Sequence, residues 1–354
     1  MTDQRQSGVD ALKVLASQVI VLHHLCSYGP LADAVAEALP GLVDWFYGYG
    51  RMAVQVFLVL GGYLAVQSLM RATGGTAANL GYALVLRYLR LVPPFAVAMA
   101  LAVLAAQVAR PWLSADLLEP APRASQYVAH LFLLHELLDV GALSAGVWYV
   151  AMDFQLYSLL ALLLWLGQRG GQARVAMLLV LAMTGASLLL WNRQPALDDW
   201  VLYFFGAYGL GALARWAQAR DLAGPGRMWW AALLLVATLA LLLDFRTRIA
   251  LALAVALLLA ASQGRLPGLP APLTRLLASL GRTSYALFLV HFPLLLLGNA
   301  LWVGNAMSGP LSGSVMLVAI WSASILLAWA FERWVEAPLG RSLQRRPVLP
   351  TARA

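Results

Sequence analysis

Hydrophobic residues fall along this chain in long blocks separated by short polar punctuation. A bilayer core of about 30 Å takes roughly 20 apolar residues as a helix. Runs of that kind occupy 9–28, 50–70, 83–108, 144–167, 173–190, 199–216, 228–243, 246–262, 281–300 and 312–334. They predict an all-α polytopic membrane protein of about ten transmembrane helices. The runs 228–243 and 246–262 are short, with Asp244, Arg246 and Arg248 between them. That pattern predicts a tight hairpin whose arginines snorkel to the interface. The apolar stretch 125–138 is too short to span and predicts an interfacial or re-entrant segment.

Charge placement supports the count. With the N-terminus inside, Arg5, Arg71, Arg87, Arg90, Arg169, Arg174, Arg215, Arg220, Arg227, Arg265, Arg275, Arg282 and the cluster from Arg333 to Arg353 fall on one side. Asp33, Glu37, Asp44, Asp116, Glu119, Asp198 and Asp199 fall on the other. This is the positive-inside pattern, and dropping or adding one span would scramble it. An even number of crossings with both termini cytoplasmic is therefore expected. Composition agrees: 62% of residues are hydrophobic and 11% charged, against about 25% charged in a soluble domain. The net charge of +8 sits mostly beside the spans, which argues against nucleic acid as its partner. The single cysteine, Cys26, excludes an intrachain disulfide and disfavours a cysteine-based metal site. The first apolar run lacks a cleavage site and is expected to be retained as a helix. The longest gap, 109–143, is too short to fold alone. The organisation expected is one transmembrane domain over 1–338 and a basic cytoplasmic tail over 339–354, disordered after Pro338.

Ionisable groups inside lipid cost several kcal/mol, so each is a functional candidate. Lys13 and His24 lie eleven residues apart in the first span, about 20° from a whole number of turns and about 16 Å apart along the axis. They share a helix face, Lys13 near the cytoplasmic edge and His24 deeper. Arg87 and Arg90, in RYLRLVPP, share one side of a helix end at the inner face. They suit phosphate through bidentate bonds, or serve as charge anchors. Asp153, in VWYVAMDFQLY, needs a partner. His24 at matching depth is the candidate, with a tyrosine or Lys13 as the alternative. His291 stands near mid-membrane beside Pro293, which weakens the local helix ladder. His130 and His135, near Glu136 and Asp139, have no zinc-type helical spacing, and no metal is expected. Gly61 and Gly62 suggest close helix packing or clearance for substrate.

These fragments together resemble the acyltransferase-3 family over nearly the whole chain. VDALKVLASQVIVLHH resembles its opening helix, in which an Arg precedes a His by eleven positions. VFLVLGGYLA resembles FFVLSGFL, and LRYLRLVPP resembles the RxxR-P segment. GVWYVAMDFQLY, TSYALFLVHFP and ERWVEAPLGR resemble WSLxxEEQFY, SYxLYLxHxP and the closing E-x-P. Lys13 stands where the family usually has Arg, Asp153 where Glu is usual, Phe154 where a second acid is common, and Gly61 where Ser is usual.

The resemblance implies transfer of an acyl group, acetyl foremost, from cytoplasmic acyl-CoA to a hydroxyl of a cell-surface or periplasmic saccharide. The setting it implies is a bacterial inner membrane. On that reading His24 is the general base or a transient acyl carrier, oriented by Asp153. Lys13, Arg87 and Arg90 hold the CoA phosphates. Trp148, Tyr149, Gln155, Tyr157, Tyr285 and His291 line the substrates. The competing reading is a proton-coupled transporter or flippase of a small anionic or glycan substrate, because intramembrane His, Asp and Lys also mark such carriers.

Overall fold

The computed structural model describes residues 7–72, 77–114, 117–118, 121–169, 173–218, 226–263, 265–266 and 268–344. Arg5, Asp116, Glu119, Arg220 and the tail beyond 344 lie outside the described residues, as does the side chain of Arg71.

The apolar blocks fold as helices throughout the described residues. In chain order these are α1 (Ser7–Leu25), α2 (Pro30–Ala38), α3 (Pro40–Tyr49), α4 (Ala53–Ala72) and α5 (Ala77–Ala109). Next come α6 (Ala124–Leu131), α7 (Trp148–Gln168), α8 (Ala173–Leu189), α9 (Val201–Ala217) and α10 (Gly226–Leu243). The last are α11 (Thr247–Ser262), α12 (Ala271–Arg282), α13 (Ser284–Gly304), α14 (Pro310–Phe331) and α15 (Ala337–Gln344). One helix stands on each of the ten predicted spans. Among the described residues, eight helical stretches are long and apolar enough to cross a bilayer, while α9 and α11, of 17 and 16 residues, are shorter. The protein is a multi-pass, all-α membrane protein. Its outward side chains agree: Leu235, Leu242, Leu311 and Leu326 are each more than two-thirds exposed, a surface suited to lipid rather than water.

Successive spans alternate between two ends of the bundle. The near face is where α1 starts, and there Ser7 Oγ accepts from Leu266 N–H at 2.9 Å. The far face is where α1 ends, and it carries α2, α3 and α6. Prolines open α2, α3 and α14, where a missing N–H is harmless. Asn299 of α13 accepts from Leu31 N–H at 3.0 Å, supplying a cap to α2 that its own sequence lacks.

Two expectations change. Arg246 does not snorkel. Its Nη1 donates to Asn192 Oδ1 at 2.6 Å and its Nη2 to Leu188 O at 3.0 Å. Arg248 donates to Asn192 O and lies over the Tyr203 ring. These cations satisfy carbonyls near the C-terminal end of α8, where both the lone pairs and the helix dipole favour them. The chain also remains helical beyond Pro338. A π-helical turn over Glu332–Glu336 leads from α14 into α15, so helix rather than disorder runs to Gln344.

The tightest crossing joins α4 to α9. A methyl group at Gly62 would overlap the Tyr208 carbonyl, and one at Gly211 would overlap that of Val59. Small residues let these two backbones touch. At Gly61 a Cβ would come within 2.7 Å of the Tyr208 ring. The departure from Ser at this position therefore accompanies a tyrosine occupying the serine's space.

Candidate functional site

A column of polar side chains runs through the bundle between α1, α4, α5, α7, α9 and α13. Its farthest members are two histidines. His24 Nδ1 lies 2.7 Å from His291 Nε2, and the rings are nearly parallel with centroids 5.0 Å apart. Both residues are buried. His291 Nδ1 is 3.1 Å from Leu287 O, and a carbonyl only accepts, so that nitrogen carries the proton. His291 Nε2 is then the acceptor and His24 Nδ1–H the donor. This tautomer leaves His24 Nε2 with a lone pair and no bonding partner among the described residues. Gly146 packs against the same ring: a Cβ there would stand 3.3 Å from His24 Cε1, and its φ of +78° favours glycine. Tyr28 closes the ring edge-on at 5.8 Å.

Toward the near face the next layer is aromatic, with the Phe288 and Tyr149 rings 5.9 Å apart. Tyr149 lies within electrostatic range of Asp153, Tyr208 and Arg87. Asp153 then forms a salt bridge with Arg87 Nη2, whose guanidinium also sits 5.0 Å from the Tyr157 ring centroid. Tyr149, Asp153 and Tyr157 recur every fourth residue and so share one face of α7. Arg87 Nε and Tyr208 Oη are buried without a hydrogen-bond partner, although 23% of the Arg87 side chain remains accessible.

The near-face layer holds Tyr285, whose hydroxyl donates to Leu91 O at 2.9 Å. That carbonyl lies two residues before Pro93 and three before Pro94, inside α5. Glu336, on the π-turn, feels the charges of Arg90, Glu332 and Lys13. Its Oε2 is buried and has no hydrogen bond. π-turns of this kind recur at functional sites.

The sequence-predicted residues are thus brought together in part. His24 and His291 meet, Arg87 meets Asp153, and Arg90 and Lys13 lie within electrostatic range of Glu336. The pairing expected between His24 and Asp153 is not formed. Asp153 lies about 10 Å further along the chain from Gly146, and it is Gly146 that touches His24. Arg87 is not at a helix end, because α5 starts at Ala77, placing Arg87 about 15 Å along it. Trp148 and Gln155 leave the column. Trp148 packs on Phe204 at 5.4 Å, and Gln155 is about 200° around α7 from Asp153.

Two members escaped sequence reasoning. Glu336 carried a signal as an acid amid Trp334, Val335 and Ala337, inside the closing motif. Tyr208 carried none, being one aromatic in an apolar helix. Among the described residues no three His, Cys, Asp or Glu side chains converge as a metal site would require.

A family model described as an acyltransferase domain matches residues 6–333. The chain belongs to the acyltransferase-3 family. No curated protein and no solved structure matches it. As an acyltransferase-3 member it is an acyltransferase embedded in a membrane, and the column runs through the matched region with Glu336 just beyond.

Proposed function

We propose that this acyltransferase moves an acetyl group from acetyl-CoA, bound at the near face, to a hydroxyl of a cell-surface or periplasmic saccharide at the far face. The near face is then cytoplasmic, both termini lie inside, and the membrane is a bacterial inner membrane. The observation that carries the reading is the free lone pair on His24 Nε2, held by the His291 hydrogen bond at 2.7 Å, above a near-face group of cations.

The chemistry follows from that arrangement. Arg90 and Lys13 attract the CoA phosphates by charge-assisted contacts, with Glu336 in electrostatic range of both. The thioester reaches along the column past the Arg87–Asp153 pair. His24 Nε2 removes the proton from the acceptor hydroxyl, and the oxygen attacks the thioester carbonyl. The imidazolium is stabilised through its Nδ1–H bond to His291. As the tetrahedral intermediate collapses, the C–S bond breaks and His24 returns the proton to the leaving thiolate. Tyr149 stands where a hydroxyl could donate to the developing oxyanion. The ester and free CoA are the products.

The test compares acetyl content of surface and periplasmic glycans, by mass spectrometry, in cells carrying wild-type protein or His24→Ala at equal membrane level. Loss of a specific acetyl ester in the variant is expected. Glycans unchanged by deletion of the gene would refute the saccharide acceptor. Wild-type transfer by His24→Ala would refute the base.

A further inference from the structure

Two histidines stand outside the column, in the far-face segment between α5 and α7. The His130 and His135 rings stack at 4.1 Å with an interplanar angle of 6°, both fully buried, and Phe95 of α5 lies 6.4 Å from each. His130 Nδ1 is 2.8 Å from Gln126 O, so it carries the proton. Nε2 is then bare, and it accepts the Leu143 N–H at 3.3 Å. Leu143 belongs to the stretch Ala142–Ala145, which walls a cavity of about 300 Å³ together with Tyr28 and Phe292. The next residue is Gly146, which rests on His24.

We propose that the stacked pair is a positioning element. While neutral it seats the loop 142–146 against His24, and on protonation it releases that loop, coupling transfer to the pH outside the far face. The inference rests on His24 as the reacting base. The geometry is what makes it: a proton placed on His130 Nε2 turns an acceptor into a donor facing the Leu143 N–H, and it sets a cation against a parallel imidazole. The groups around the pair do little to offset that charge. Phe95 is apolar and Gln126 presents a carbonyl. The Val147 backbone approaches His135 without hydrogen-bond geometry. Glu136 Oε1 is 3.7 Å from His135 Nε2. Burial, with Asp199 and Asp139 nearby, raises the Glu136 carboxyl above its ordinary range, so it gives up its charge early on acidification.

Burial lowers both imidazoles, that of His135 to about 4, whereas a released loop would return them to about 6.5. The released form therefore binds more protons. The seated form is fully stable above pH 6.5 and loses ground as pH falls toward 4. Between pH 7.5 and 5.5 the opening constant should rise roughly tenfold from His135 alone, and His130 acts in the same direction.

Hydrogen exchange on the full-length protein in lipid nanodiscs, corrected for intrinsic rate, measures opening of residues 140–147 directly. In the wild type, protection should fall at least tenfold from pH 7.5 to 5.5. His130→Gln keeps an acceptor where Nε2 stood, and His135→Phe keeps the stack. Their double variant should retain protection at both pH values, while His130→Leu should be unprotected at both. Transfer should follow: its acid limb moves to lower pH in the double variant, and His130→Gln restores at pH 7.5 the rate lost in His130→Leu. Wild-type protection that ignores pH, or a double variant that keeps the wild-type slope, overturns the proposal. Absence of transfer in every protein, with pH-dependent exchange intact, would instead count against the acyl-transfer reading alone.

Discussion

Replacing Asp153 with Leu leaves Arg87 as an uncompensated cation deep in the bundle. Removing one partner of a buried ion pair typically costs 3–5 kcal/mol. Here 23% of the Arg87 side chain and 9% of the Asp153 side chain remain accessible, which points to the lower end, about 3 kcal/mol. Arg87→Met should cost a similar amount by stranding the carboxylate, and it also removes the contact with the Tyr157 ring. The double variant Arg87→Met, Asp153→Leu removes both charges and fills the space with apolar groups. By the same reasoning it should recover most of the loss, because the desolvation penalty disappears with the pair. The assay is a double-mutant cycle of reversible unfolding in mixed lipid–detergent micelles, with transfer measured in parallel. A coupling energy of about 5 kcal/mol is expected, since the two single losses of about 3 kcal/mol should leave only about 1 kcal/mol in the double variant. Transfer should be lost in all three variants if the pair lies on the thioester's route. A coupling below about 0.5 kcal/mol would refute the claim that Arg87 and Asp153 are energetically one unit.

His291→Leu removes the acceptor that orients His24 and should lower kcat by about 10²–10³-fold with little change in the KM for the acyl donor. His291→Gln, which offers an oxygen near the former Nε2, should recover part of that loss, and steady-state kinetics distinguishes the two. Gly146→Ala adds a methyl 3.3 Å from His24 Cε1 at a φ of +78°. It should cost about 1 kcal/mol or more and lower kcat before it lowers folded yield, read by chromatography and transfer together. Gly62→Ala forces α4 from the Tyr208 carbonyl, an overpacking of about 1–3 kcal/mol or more. Its expected signature is a lowered melting midpoint with no selective change in KM.

The fold was legible because the membrane imposes one dominant signal. Each apolar block became a helix, and even the short pair around Asp244 kept its place. What the pattern left out was the use of the polar residues between blocks. Arg246 looked like an anchor because it stands in a short polar turn between two apolar runs, but its partners, Leu188 and Asn192, come from α8 and the turn that follows it. The site divided in the same way. Tyr149, Asp153 and Tyr157 were each legible as candidates, and the structure puts them on one face of α7. Spacing within a helix says nothing about height against a neighbour, so matching His24 to Asp153 by counting along two tilted helices missed by about 10 Å. Tyr208 was invisible because its role comes from Gly61, which makes room for it across the α4–α9 crossing.

The partner exchange has a physical logic of its own. A His–Asp pair in the bundle interior would hold a carboxylate beside an imidazole, favouring the protonated, charged form and leaving His24 unable to accept a proton. A His–His pair is neutral in the resting state, so the base keeps its lone pair and the desolvation cost of two extra charges never arises. The carboxylate is matched instead with an arginine, whose charge is permanent and whose position nearer the near face suits an anionic donor. The column thus separates its tasks by height. Fixed charge lies toward the end where phosphates would arrive, and a neutral, proton-accepting group lies toward the end where a hydroxyl would arrive. The Lys13 and Asp153 departures fit this separation: each keeps the sign of the charge at its level, and neither alters the histidine pair.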